Sequence, residues 1–274
     1  MNPLLWSIRR ELWEHRWLWS VPLVVGAIVV TVFSSVAVRH LGSVGAGADA
    51  ELRVLAAGMS GVFDLASRMI LITGTIVAFV YCAEALHGER RDRAILFWKT
   101  WPVGDGTAVA AKAMVALIVV PAVTLALLLA AQVIARVVLM GRIELNAPMA
   151  SPVAATLEVI ASTLWIAPVY AWIMVVSASA RRAVLLLAFL PMVLVTVVAA
   201  MFGAAGPIGH ALFYRSVGRH WPSDLTLGSA SRGWMVVRPA PELLRSPALW
   251  AGVVLAVLLL TVVARLRRRM MALA

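Results

Sequence analysis

The chain has 274 residues, 62% of them hydrophobic and 14% charged, with a formal net charge of +11 and a mean hydropathy of +0.94. A soluble domain is about half apolar and about a quarter charged, so this composition excludes an ordinary soluble fold and marks an all-α, multi-span membrane protein. The positive charge does not point to nucleic acid: only Lys99 and Lys112 of the 24 basic residues are lysines, many arginines abut apolar runs, and no segment is long enough for a basic soluble domain.

Residues 1–18 read as an interfacial helix. Leu5, Ile8 and Leu12 form one apolar ridge and Trp6, Trp13 and Trp17 a second, with Arg10, Glu11 and Glu14 on the opposite side. Tryptophan favours the headgroup layer, and Arg9 and Arg16, which fall between the ridges, can snorkel. The competing reading is a charged leader that only sets topology. The apolar run that follows is longer than a signal-peptide core and comes after two glutamates, so it is expected to be retained as a span.

A bilayer-crossing helix takes about 20 apolar residues. Six runs qualify: 19–38, 66–86, 107–136, 156–179, 183–202 and 247–263. Residues 42–49, rich in glycine and alanine, read as a flexible outer loop. Cys82 is the only cysteine, which excludes an intrachain disulfide; inside an apolar run it reads as a small packing residue. The third run is long enough, about 45 Å at 1.5 Å per residue, to tilt or to extend past the bilayer. Pro121, Pro168 and Pro191 are candidate kinks. Ala122, Ala126 and Ala130 place small side chains on one face of the third span, where helices can approach closely.

Charge sets the orientation. With the leader inside, Arg9, Arg10, Arg16, Arg90, Arg91, Arg93, Lys99, Lys112, Arg181, Arg182, Arg265, Arg267, Arg268 and Arg269 fall in short cytoplasmic segments, and six spans return the other end to that side. Glu84, Glu158, Arg68 and Arg136 lie near span ends and read as locally paired or snorkelling. The span centres carry almost no ionisable groups, which argues against a proton- or sodium-coupled carrier. No internal repeat supports an inverted-repeat carrier.

Residues 206–246 form the longest non-spanning segment. A structured extracytoplasmic lid and a plain solvated loop are both open. Phosphate-loop, zinc-protease and nucleophile-elbow motifs are absent from the sequence. His210, His220 and Asp224 are the one weak catalytic grouping.

Between the second and third runs lies the segment 89–105. Arg90, Arg91 and Arg93 alternate with Glu89 and Asp92; Ile95, Leu96, Phe97 and Trp98 follow, then Lys99, Trp101 and Pro102. Aromatics and arginine anchor protein interfaces, so a short helix here offers a compact docking patch, ended by Pro102, with Asp105 available to cap the third span. The alternative is an interfacial loop whose aromatics sit in headgroups.

The order of these residues resembles the loop between the second and third spans of ABC type-2 exporter permeases, the ABC-2 family of membrane subunits of ATP-binding cassette transporters. In one branch an Arg/Asp-rich start leads into Ile-Leu-Phe-Trp-Lys, then Pro-Val, a small residue and Asp. Those are Arg90 to Arg93, Ile95 to Lys99, Pro102, Val103, Gly104 and Asp105 here. The family often has serine at Thr100 and Gly104 and an aliphatic residue at Trp101; these departures leave the docking role intact and the branch open. The architecture is similar over the whole chain, the motif over the segment 89–105.

The resemblance implies a permease subunit that is not itself an enzyme and holds no catalytic, cofactor or metal site. Two such subunits, identical or different, form the path. Separate ATPase subunits bind ATP and Mg, and Arg90, Arg91, Asp92, Arg93, Ile95, Leu96, Phe97, Trp98, Lys99, Trp101, Pro102 and Asp105 dock there as a coupling helix, with the leader as a connecting helix. It further implies export across a bacterial cytoplasmic (inner) membrane, among its lipids. The apolar spans suit an amphipathic or lipid-like cargo. Two other classes stay open: an ATP-independent scaffold or regulator, and a membrane-embedded enzyme using His210, His220 and Asp224.

Overall fold

The computed structural model describes residues 3–43, 49–91, 104–139, 151–180, 183–201, 215 and 240–272. These residues are almost entirely helical, with no strand among them. Helix α1 (Pro3–Glu14) turns at His15 and Arg16 into α2 (Trp17–Ser43), and α3 (Asp49–Arg91) follows. Next, α4 (Asp105–Met114) runs through a π-helical turn, Val115–Val119, into α5 (Val120–Leu139). Then come α6 (Pro152–Ser179), α7 (Val184–Met201), the short α8 (Ala240–Arg245) and α9 (Pro247–Ala272).

Among the described residues, five stretches are long and apolar enough to cross a membrane: Trp17–Val36, Val62–Gly88, Asp105–Val137, Pro152–Ser179 and Pro247–Arg268. This is the pattern of a multi-pass membrane protein. The run expected at 183–202 corresponds to α7, whose apolar stretch Val184–Val195 is shorter than those five.

Local chemistry explains the helix boundaries. Ser151 caps α6, its hydroxyl accepting from Ala154 N at 3.1 Å, and Pro152 occupies the first helical position, where its missing N–H costs nothing. The cap of α4 corrects the sequence expectation: Gly104 is the cap residue and makes no side-chain cap bond. Asp105 stands one position later, where its charge still favours the helix N-terminus. Near Pro121, one of the candidate kink positions, the helix carries a π turn that ends at Val119, two residues before the ring. The ring lacks an N–H and crowds the carbonyl four residues back, and a widened turn relieves both. Helices α6 and α7 continue through Pro168 and Pro191.

Helix α6 is the hub, packing against α3, α5, α7, α8 and α9. Around it Leu18, Tyr81, Cys82, Val115, Ile173, Met174 and Val263 are buried in one cluster. Cys82 is fully enclosed, as a small packing residue should be. Helices α3 and α5 meet at Gly74, which lies directly against the Thr124 side chain. Beside this contact is a cavity of about 30 Å³, its apolar wall interrupted by Thr75, Thr124, Ser162, Thr163 and Tyr170. The buried face of α5 carries Thr124, Leu128, Ala131 and Ala135, whereas Ala122, Ala126 and Ala130 are exposed, so the small-residue face is not used for packing among the described residues.

Candidate functional site

The most concentrated polar chemistry among the described residues lies where α1 meets the start of α4. Helix α1 turns its polar side inward. Ser7 and Glu11 are buried, Ile8 and Leu12 pack on the core cluster, and Leu5 and Trp13 are exposed, Trp13 at 65%. Ser7 satisfies itself by donating to the Pro3 carbonyl at 2.9 Å. On the outer side the Arg9 guanidinium lies 5.7 Å above the Trp13 ring, a cation–π geometry.

Glu11 faces Lys112 of α4. Lys112 Nζ donates to Glu11 Oε1 at 2.8 Å, and the two residues are only 2% and 3% exposed. The Tyr81 hydroxyl of α3 donates to the other oxygen, Oε2, at 3.0 Å. Arg10 Nη2 approaches Oε1 at 3.3 Å, and Arg10 Nε pairs with Glu14 at 3.2 Å, one turn on. His15 Nε2 is 3.9 Å from Oε2, its ring edge-on to Tyr81 at 5.6 Å. Burial pushes the Glu11 carboxyl upward, but the Lys112 charge and hydrogen bond, then Arg10 and Tyr81, outweigh it and hold the pKa below its ordinary value. The group is therefore a buried carboxylate with two cations and a phenol satisfying its oxygens.

Glu11, Glu14 and His15 bring three potential metal ligands within reach of one another. The donor set suits structure better than metal binding, because Lys112 and Arg10 already neutralise Glu11 and an incoming cation would have to displace them.

Two further contacts tie the same end of the bundle together. Arg267 Nε of α9 lies 3.6 Å from Asp105 Oδ1 at the start of α4. Ser177 of α6 inserts into the last turns of α3: its hydroxyl donates to the Ala83 carbonyl at 2.6 Å and accepts from His87 N at 3.0 Å. Those two backbone groups are the i and i+4 partners of an ordinary helical bond, so the serine stands between them.

Of the docking residues expected at 89–105, Arg90 and Arg91 lie in the last turn of α3 and Asp105 at the start of α4. Asp92, Arg93, Ile95, Leu96, Phe97, Trp98, Lys99, Trp101 and Pro102 lie outside the described residues, as do His210, His220 and Asp224. Among the leader residues, Glu11 is buried, Trp6, Arg10 and Trp17 are half-buried, and Trp13 and Glu14 are exposed. Glu84 is exposed, and Arg68 pairs locally with Asp64 at 3.2 Å. Sequence reasoning did not find the Glu11–Lys112 pair. The available signal was a lysine inside the apolar run 107–136, a placement that calls for a buried carboxylate. No protein-family model matches the sequence, and no curated protein or solved structure shows significant similarity to it.

Proposed function

We propose that this chain is the transmembrane permease subunit of an ATP-binding cassette exporter of the ABC-2 type. It works as a dimer with a second permease subunit and is driven by a separate ATPase that holds ATP and Mg. The carrying observation is the sequence of residues from Arg90 to Asp105, with Ile95, Leu96, Phe97, Trp98 and Lys99 at its centre and Pro102-Val103-Gly104-Asp105 at its end. In this reading the segment docks into the ATPase from the cytoplasmic side of a bacterial inner membrane. An amphipathic or lipid-like substrate moves outward through the apolar spans.

The contacts that flank the segment support a lever mechanism. Before it, α3 is held to α6 by Ser177. After it, α4 is held to α1 by Lys112–Glu11 and to α9 by Asp105–Arg267. Packed interiors transmit displacement rather than absorb it. A push on the segment would therefore reach α1, α6 and α9 together. ATP hydrolysis belongs to the partner, and this chain's part is to couple and to line the path.

The test is co-purification. The tagged full chain, mildly solubilised from its host, should bring down a nucleotide-hydrolysing subunit, and Phe97→Glu with Trp98→Glu should release it. Capture of no ATPase favours the scaffold reading, and full retention by the double variant removes the docking assignment.

A further inference from the structure

Arg215 sits at the other end of the bundle, where its guanidinium lies 4.2 Å above the Trp165 ring of α6. Nη1 donates to the Ala248 carbonyl in the first turn of α9 at 3.3 Å. Ala248 and Arg267 are 19 residues apart on α9, about 28 Å along the helix, so this site and the Glu11–Lys112 pair lie at opposite ends. Gly252 forms the floor: a Cβ there would collide with Arg215 Nη2. The absent side chain at 252 is what lets a planar cation lie between the two helices.

The side chain is half-buried, and no described carboxylate lies within ion-pair distance of it. An arginine has five N–H donors in a rigid fork. Among the described residues, one carbonyl and one ring face leave most of that fork unused. A partly desolvated cation near a span end needs an oxyanion, and in a bilayer the abundant oxyanion at that depth is the headgroup phosphate.

We propose that Arg215, seated between Trp165 and Gly252, binds the phosphodiester of a phospholipid headgroup. The two-oxygen face of the phosphate matches the edge of the guanidinium that no described residue takes, and the acyl chains would lie along the apolar outer surface of the spans. The site depends on the chain spanning a membrane and not on the transport reading.

Native mass spectrometry of the full chain in detergent tests this, with dioctanoyl phosphatidylglycerol as probe and dioctanoylglycerol, which lacks the phosphate, as control. The wild type should retain the phospholipid about ten- to a hundredfold more tightly than Arg215→Gln, the range for a charge-assisted hydrogen bond, and should not retain the diacylglycerol. Arg215→Lys should fall between, since a point charge replaces the fork. Gly252→Ala should weaken retention by displacing the guanidinium, which gives a second readout if Arg215→Gln unfolds. Displacement of the lipid by millimolar inorganic phosphate would support the oxyanion site but assign it to free phosphate. Equal retention by wild type, Arg215→Gln and Gly252→Ala, or equal retention of the diacylglycerol, would overturn the proposal.

Discussion

Tyr81 and Lys112 divide one carboxylate between them: the phenol takes Glu11 Oε2 and the ammonium takes Oε1. Three helices thus meet on a single charge. A buried pair of this kind is costly to break because the survivor is stranded in a low-dielectric site. Lys112→Met and Glu11→Gln should each destabilise the protein by about 3–5 kcal/mol, and Tyr81→Phe by about 1.5–3 kcal/mol as the loss of a hydrogen bond to a charged group. Replacing both members at once, Glu11→Met with Lys112→Met, should cost less than either single change. Thermal unfolding of the purified variants measures this, and losses that simply add would show that the two residues are not coupled.

The same pair predicts an acid dependence. The folded-state pKa of Glu11 lies below its ordinary value of 4.5. A depressed carboxylate contributes stability above its unfolded pKa and loses it as pH falls through the folded one. The stability gap between the wild type and Glu11→Gln should therefore hold steady above about pH 4.5 and narrow below it. Melting temperatures of the two proteins from neutral pH down to pH 3 read this out. A gap that stays constant over that range would mean that Glu11 is not the titrating partner.

The elements were legible in the sequence, and the contacts between them were not. Runs such as 107–136 and 156–179 announce helices because a bilayer leaves backbone groups no other partner. The direction in which α1 faces was hidden. Its tryptophans suggest a membrane-lying helix with Glu11 pointing away from the apolar ridges, yet Glu11 turns inward because Lys112, 101 residues away, needs a counter-charge. Helix periodicity carries no information on a pairing at that separation. Arg215 was unremarkable for the same reason, since its meaning comes from Trp165 and Gly252 on two other helices.

Ala183 offers a stabilising change. Its φ is 53°, in the left-handed region, and its carbonyl accepts from Leu187 N at 3.0 Å to open α7. That conformation costs an L-residue roughly 1–2 kcal/mol, and glycine escapes the cost while adding unfolded-state entropy of about 0.4–1 kcal/mol. Ala183→Gly should gain about 0.5–1 kcal/mol on balance, and Ala183→Val should lose stability because a β-branched residue tolerates the region worst. The melting order Gly, then Ala, then Val checks the conformation, and a glycine variant less stable than the valine one would contradict it.

Gly74 and Thr124 make the converse case, in which a glycine cannot grow. A Cβ at Gly74 would run into Thr124 Oγ1, with Cγ2 at 3.2 Å and Cβ at 3.3 Å behind it. Thr124 has little room to turn away, being buried with its hydroxyl donating to the Val120 carbonyl at 2.9 Å. Overpacking of this kind costs about 1–3 kcal/mol, so Gly74→Ala should destabilise by that amount. Thr124→Ala removes both Oγ1 and Cγ2, leaving only a close Cβ that a shift of a few tenths of an ångström relieves. The double variant should therefore recover most of the loss caused by Gly74→Ala, a coupling that a double-mutant cycle on unfolding midpoints reports. Because the pair sits beside the π turn at Val115–Val119, the single variant should also speed amide exchange in the first turn of α5, and the double variant should restore it. If the single variant melts with the wild type, α3 and α5 do not approach closely at this point.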